Sequence, residues 1–314
     1  MTVAFADDLT LLATKIEDTV VWMARERWQA QHNNPAMGIG YAPDFYMVPD
    51  LVRKHFGIQD AFQPWSLLPD PAAFQPVTDS LSRAMGMLRV DAQFSNPVDP
   101  SDQFGLARQE FQALVNTDPI NSWSGATADN FRTQFLDHFK ANTENETVII
   151  AVLKAAAEAQ RAVWANARND VTSIGQKTLA ALHNGGCDQS AWVMAFSVLA
   201  GIASIAAVPL TGGASLGLAL TVTAIGAVGS MATNAIPLAS GNDSMSYKGS
   251  SMEGAIAAMK SAMAGLQQRV EAAQVAIELS LTGNLVFVES EMRSLFQMTK
   301  PTLGRDDPGF TPGR

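Results

Sequence analysis

The side chains that most often do chemistry are few in this chain and widely spaced. Its histidines are His32, His55, His138 and His183, and Cys187 is its single cysteine. No H-E-x-x-H pair and no Cys–His spacing connects them, so no metal site is expected. Gly38-Ile39-Gly40 starts like a dinucleotide fingerprint but lacks both the remaining glycine and a preceding strand. Thr211–Ser215, "TGGAS", lacks the strand–Ser–helix elbow of hydrolases. Asp7, Asp8, Glu17 and Glu26 fall on the polar side of the first helix and read as solvated carboxylates. Nucleophile, base and orienter converge nowhere. The expectation is a non-enzymatic protein with no catalytic residues and no cofactor.

Composition narrows the partners. The 314 residues allow one or two domains with a sizeable core, and 47% are hydrophobic against 16% charged. With 30 acidic and 21 basic residues the net charge is −9, which argues against nucleic acid and against electrostatic adhesion to anionic lipid. Contact with a membrane would have to be driven by apolar burial. One cysteine leaves no internal disulfide framework, and as a small apolar residue it needs no function. The N-terminal "MTVAFADDLTLLATKIEDTVVW" is acidic where a secretory signal is basic, and it has no continuous apolar core. No cleaved Sec signal peptide is therefore expected.

The elements that would position any site are helices. Phe5, Leu9, Leu12, Ile16, Val20 and Met23 recur at steps of three and four and predict an N-terminal helix. From His32 to Pro76 the pattern dissolves among Pro35, Pro43, Pro49, Pro64, Pro69, Pro71 and Pro76, each of which removes a backbone donor and fixes φ. Its aromatic residues are too apolar for a free linker, so an ordered loop region with short helical turns is expected. Two shorter helices follow, near 77–91 and 101–116. Ala126 to about His183 reads as one helical stretch of roughly 87 Å at 1.5 Å per residue, with a polar waist at "NTENE". Phe131, Phe135 and Phe139 form one stripe, and Ile149, Val152, Ala156, Ala159 and Val163 continue a three-four pattern. Asn184-Gly185-Gly186 ends it. Met252, Ile256, Met259, Met263, Leu266, Val270, Ala273 and Ile277 have heptad spacing, which Leu281, Leu285, Val288, Met292 and Leu295 resume after an extra step beside Gly283. The tail after Pro301 is polar.

The fold expected is all-α, an elongated helical bundle with long antiparallel helices and a central apolar helical hairpin. Its segments are 1–76 (helix plus Pro/aromatic-rich region), 77–186 (helical hairpin with a long second helix), 187–249 (apolar hairpin), 250–300 (heptad helix) and 301–314 (tail).

Trp123 and Gly125, in "INSWSGATADNF", stand where the chain must reverse between two antiparallel helices. Glycine permits the backbone geometry of that turn, and the indole can cover its open end or face a partner. Pro119 helps stop the preceding helix, and Ser124 offers a capping hydroxyl. "WSGATADNF", followed by Phe135, Phe139 and "VIIAVLKAAAEAQRAVWANARND", resembles the WxG family of type VII (ESX) secretion substrates of actinobacteria and their longer relatives, over residues 77–170. The resemblance implies export by the type VII machinery or its chaperone, self-association, and a Y-x-x-x-D/E secretion signal. Tyr46 and Asp50 match that signal upstream of the tryptophan, as in long fused members, with Pro49 inside it. After the WxG helix, Trp164 and Arg168 hold the same spacing instead of Tyr and Asp.

Between Asp188 and Asp243 no side chain is ionisable. The stretch divides at "PLTGG", with Pro209, Gly212 and Gly213, into arms at 191–208 and 215–236. Trp192, Phe196, Gly201, Gly226 and Gly229 mark a candidate membrane hairpin, because apolar helices of about 20 residues span a bilayer and glycine allows close helix contact in lipid. A buried central helix pair has the same composition, and both readings stay open. The layout resembles α-pore-forming toxins in architecture only. The function expected is a secreted interaction or effector protein that assembles through helices. A membrane-inserting pore-former is one alternative, and a secretion partner or scaffold is a second.

Overall fold

The computed structural model describes residues 2–32, 44–88, 122–183, 192–198, 208–211, 219–222, 244–247 and 251–291. The fold is an all-α helical bundle: α1 (Thr2–His32), α2 (Asp44–Phe56), α3 (Ile58–Ser66), a 3₁₀ turn (Pro71–Phe74), α4 (Gln75–Leu88), α5 (Ala126–Phe131), a π turn (Arg132–Leu136), α6 (Asp137–His183) and α7 (Met252–Glu291). Four strands of four residues each lie between α6 and α7: β1 (Trp192–Ala195), β2 (Val208–Thr211), β3 (Ala219–Val222) and β4 (Ser244–Tyr247). Two compact units interleave along the chain. One comprises Met1–Ala73, Arg161–Ile202 and Pro237–Gln274; the other comprises Phe74–Gln160, Ala203–Ile236 and Val275–Arg314.

In the first unit, α1 buries Leu9, Ala13, Ile16 and Val20 on its three-four stripe, and α2 and α3 pack against it. Within the stretch expected to be mostly loop, Asp44–Phe56 and Ile58–Ser66 are helical, with Pro49 inside α2 and Pro64 inside α3. Each proline removes one i−4 hydrogen bond; burial of Val48, Val52, Ile58, Phe62 and Trp65 offsets that loss. Glu17 was expected in solvent and is 5% exposed. Its Oε1 accepts from Arg53 Nε at 2.6 Å, so the carboxylate that enters the core side of α1 brings its cation from α2. Arg168 of α6 ties three elements together. Its Nη2 donates to the Leu68 carbonyl at 2.8 Å, its Nη1 lies 4.0 Å from Asp70 Oδ1, and its guanidinium stands 4.4 Å over the Phe5 ring. Gly175 lets α6 approach α1: a Cβ there would overlap Leu12 Cδ2 and stand 2.9 Å from Leu12 Cγ and 3.1 Å from Phe62 Cζ.

The heptad seam of α7 is buried from Met252 to Ile277 without exception among its eight positions. Ser251 caps this helix, its Oγ accepting from Gly254 N–H at 3.0 Å.

In the second unit, Met85 of α4 and Ala151 of α6 form a core with Ile150. The waist of α6 is polar by sequence and buried by structure: Asn142, Thr143, Asn145 and Thr147 are each under 5% exposed. The threonines satisfy themselves along the helix, Thr143 Oγ1 on the Phe139 carbonyl and Thr147 Oγ1 on the Thr143 carbonyl, both at 2.8 Å.

At Trp192–Ala195, Val208–Thr211 and Ala219–Val222 the chain is extended where a helical hairpin was expected; the rest of that hairpin lies outside the described residues. β1 pairs antiparallel with β4, Trp192 opposite Tyr247, and β2 with β3, Val208 opposite Val222. The helical reading rested on length and absence of charge, and neither distinguishes helix from strand. Valine, threonine and aromatics at these positions favour the pleated backbone, and Pro209 in β2 has no N–H for a helix ladder.

Candidate functional site

The tryptophan turn is built by one glycine. Gly125 is the N-cap of α5 with φ 101° and ψ 170°, a region that glycine alone populates readily. Its carbonyl accepts from Asp129 N–H at 3.1 Å and starts the helix. A Cβ at Gly125 would meet nothing within 4 Å, so the requirement is on the backbone and not on space. Ser124, expected to cap, is exposed, and the cap residue is Gly125 with no side-chain capping bond. The helix expected before the turn lies outside the described residues.

Behind the turn runs an aromatic ladder. The Trp123 ring lies 6.0 Å from Phe131, Phe131 stacks on Phe135 at 5.1 Å, and Phe135 lies 6.1 Å from Phe139. Trp123 is 53% exposed and Phe139 7%, so the ladder runs from surface to core. The π turn at Arg132–Leu136 falls within it. One extra residue per turn re-aims the side chains around a helix, and such turns recur at functional positions.

Tyr46 and Asp50 are one turn apart on α2. Asp50 is exposed, and its Oδ1 lies 3.6 Å from Arg53 Nη1. Trp164 and Arg168, at the same spacing on α6, include the arginine already tied to Leu68 and Asp70. Of the histidines, His55 stands edge-on to its neighbour Phe56 at 4.8 Å, and His138 is exposed on α6. Among the described residues no group of three His, Cys, Asp or Glu side chains gathers to hold a metal ion.

A polar cluster grips the chain as it enters the uncharged segment. Asp170 is 5% exposed. Its Oδ2 accepts from Ser197 N–H at 2.8 Å, and its Oδ1 from Ser197 Oγ–H at 2.9 Å. Asn166 Nδ2 donates to the Ser197 carbonyl at 2.9 Å. From α7, the Arg269 guanidinium stands 4.4 Å over the Phe196 ring. Burial pushes the Asp170 carboxyl above the usual aspartate range, against the opposing pull of Ser197, the Val198 amide and Arg269. Phe196 and Val198 are themselves buried. The result is a clamp: two side chains of α6 and one of α7 fix residues 196–198.

Sequence reasoning missed this clamp, yet its signal is present. Ile149, Val152, Ala156, Ala159 and Val163 step by three and four, and the next two steps fall on Asn166 and Asp170. Polar residues on an apolar seam mark a buried hydrogen-bonding task.

The remaining hairpin residues are placed in part. Trp192 is in β1, Phe196 lies under Arg269, and Pro209 in β2 pairs with Thr221. Gly201, Gly212, Gly213, Gly226 and Gly229 lie outside the described residues. Among the described residues no helix is long and apolar enough to cross a membrane. No protein-family model, no curated protein and no solved structure matches this chain.

Proposed function

We propose that this chain is a substrate of a type VII secretion system, exported without a cleaved Sec signal, and that it acts outside the cell as an effector through helix-mediated contacts rather than by catalysis. The observation that carries the reading is the W-x-G turn: a glycine-only backbone at the start of a helix, with Trp123 exposed and backed by the Phe131–Phe135–Phe139 ladder. An aromatic that is half in solvent and braced from behind suits contact with a secretion partner. Tyr46 and Asp50, one turn apart on α2, suit the export signal. Helix-mediated assembly, including self-association, rests on the heptad spacing in the sequence; the eight seam positions from Met252 to Ile277 are packed within this chain.

The test is export of single variants from a host that carries a type VII system. Trp123→Ala, Tyr46→Ala and Asp50→Ala are expected to lower the extracellular fraction while intracellular protein stays folded by circular dichroism. Undiminished export of all three variants would overturn the reading.

A second reading concerns the uncharged segment after residue 198. The clamp at Asn166, Asp170 and Arg269 suits a segment that the helices restrain until it is released toward a membrane. Dye release from neutral liposomes by folded protein tests it. No leakage and no co-flotation at pH 7 or pH 5 removes it.

A further inference from the structure

From Val275 onward α7 turns a second face outward. Val275, Leu279, Leu285 and Val286 are each more than half exposed. At 100° per residue, Val275, Leu279, Thr282 and Val286 share an arc roughly 60° wide. Their steps of four, three and four are those of a helix-packing seam. Glu271, Glu278 and Glu289 are exposed along one edge of that arc, beside Leu285. Between Arg269 and Arg293 the sequence holds no lysine or arginine.

We propose that this face of α7 is a docking surface for a helix of another protein, one with apolar residues at heptad spacing and lysine or arginine along one edge. The apolar line calls for an apolar line opposite, because large side chains left in water forfeit their burial free energy. The glutamate edge selects the charge of the partner. In helix pairs the positions flanking the seam choose partner and orientation by charge. An anionic membrane or a nucleic acid would meet three carboxylates with no cation between them. A second copy of this chain fits poorly in either orientation. Antiparallel packing sets glutamate edge against glutamate edge, and parallel packing sets it against Ala272, Gly283 and Ser290, which offer no positive charge. This surface is independent of the export route and of the tryptophan turn.

The probes are two amphipathic helical peptides of about 21 residues, three heptads, with identical leucine seams. One carries lysine at the flanking positions and the other glutamate. Fluorescence anisotropy against the full chain is expected to show binding of the lysine-edged peptide only, weakening as salt rises. The double variant Leu279→Ser/Val286→Ser and the triple variant Glu271→Gln/Glu278→Gln/Glu289→Gln should each weaken binding about tenfold. All five positions are exposed, so the fold should survive, which circular dichroism checks. The matched control Asp7→Asn/Asp8→Asn/Glu26→Gln removes the same charge from α1 and should leave affinity within about twofold. Equal binding of both peptides, an equal loss in the α1 control, or no loss in the Leu279/Val286 variant overturns the proposal. So does a dimer in sedimentation that Leu279→Ser/Val286→Ser dissolves, since that assigns the face to a second copy.

Discussion

Replacing Asp170 separates the two things its carboxylate does. The group accepts two hydrogen bonds from Ser197, at 2.8 and 2.9 Å, and it carries a charge into a site where it is 5% exposed. Asp170→Ala removes both acceptors and leaves the Ser197 N–H and hydroxyl unpaired. Hydrogen bonds to charged groups contribute about 1.5–3 kcal/mol each, and a stranded donor costs about 1–3 kcal/mol. Because Ser197 is only half-buried and recovers some water, the expected loss is about 2–3 kcal/mol. Asp170→Asn keeps an oxygen for the Ser197 N–H and abolishes the buried charge, while losing attraction to Arg269. The expected net change at pH 7 is within about 1 kcal/mol.

The pH dependence has a definite sign. Burial holds the folded-state carboxyl above its ordinary value, so the folded chain binds this proton more tightly than the unfolded chain does. The contribution of Asp170 to stability therefore grows as pH falls through the folded pKa toward the ordinary aspartate value, and is lost as pH rises again. Protonation relieves the buried charge, while the bonds from Ser197, which favour the charged form, weaken. Urea unfolding followed by tryptophan fluorescence, in steps from pH 7 down toward the ordinary aspartate value, measures it. The parent should gain stability relative to Asp170→Asn at the lower pH. An identical pH response in both proteins, or an asparagine variant as unstable as the alanine variant, would refute the argument.

Three further substitutions follow from the same geometry. Gly175→Ala should destabilise by about 1–3 kcal/mol in urea, because the clash with Leu12 outweighs the gain of about 1 kcal/mol in helix propensity. A stabilised variant would show that Leu12 simply rotates away. Gly125→Ala should cost about 1–3 kcal/mol through its positive φ, and Trp123 fluorescence in a protein with the other tryptophans replaced should report a displaced turn. Ser251→Ala should cost about 1 kcal/mol, and Ser251→Asp far less, by thermal unfolding.

How much of this could be read in the sequence differs by element. The seam of α7 was legible because a single period runs through its eight positions from Met252 to Ile277, and each of them is buried. The stripe on α6 was equally legible as far as Val163. The next two positions, Asn166 and Asp170, were hidden because their partner, Ser197, is remote in sequence and no local pattern names it. Glu17 was misread for the same reason, its cation arriving from Arg53, 36 residues away. The α2–α3 region was misjudged because proline counts as a breaker locally, while Val48, Val52, Phe62 and Trp65 acquire their weight only on packing. Trp192–Ala195, Val208–Thr211 and Ala219–Val222 were misread as helix because a long uncharged run says nothing about whether it repeats every 3.6 residues or every two. At Gly125 the positive φ is a local backbone requirement and so is legible, while the cap expected at Ser124 falls one residue later; the helix before Trp123 lies outside the described residues.

Export by a type VII system is tested by comparing culture filtrates of a parent strain with those of one lacking the secretion ATPase. Intact-mass spectrometry of the filtrate reads both amount and N-terminus. Full-length protein outside the parent, and its retention inside the mutant, are the expected outcome. Equal extracellular amounts from both strains, or a shortened N-terminus from a cleaved leader, would contradict it.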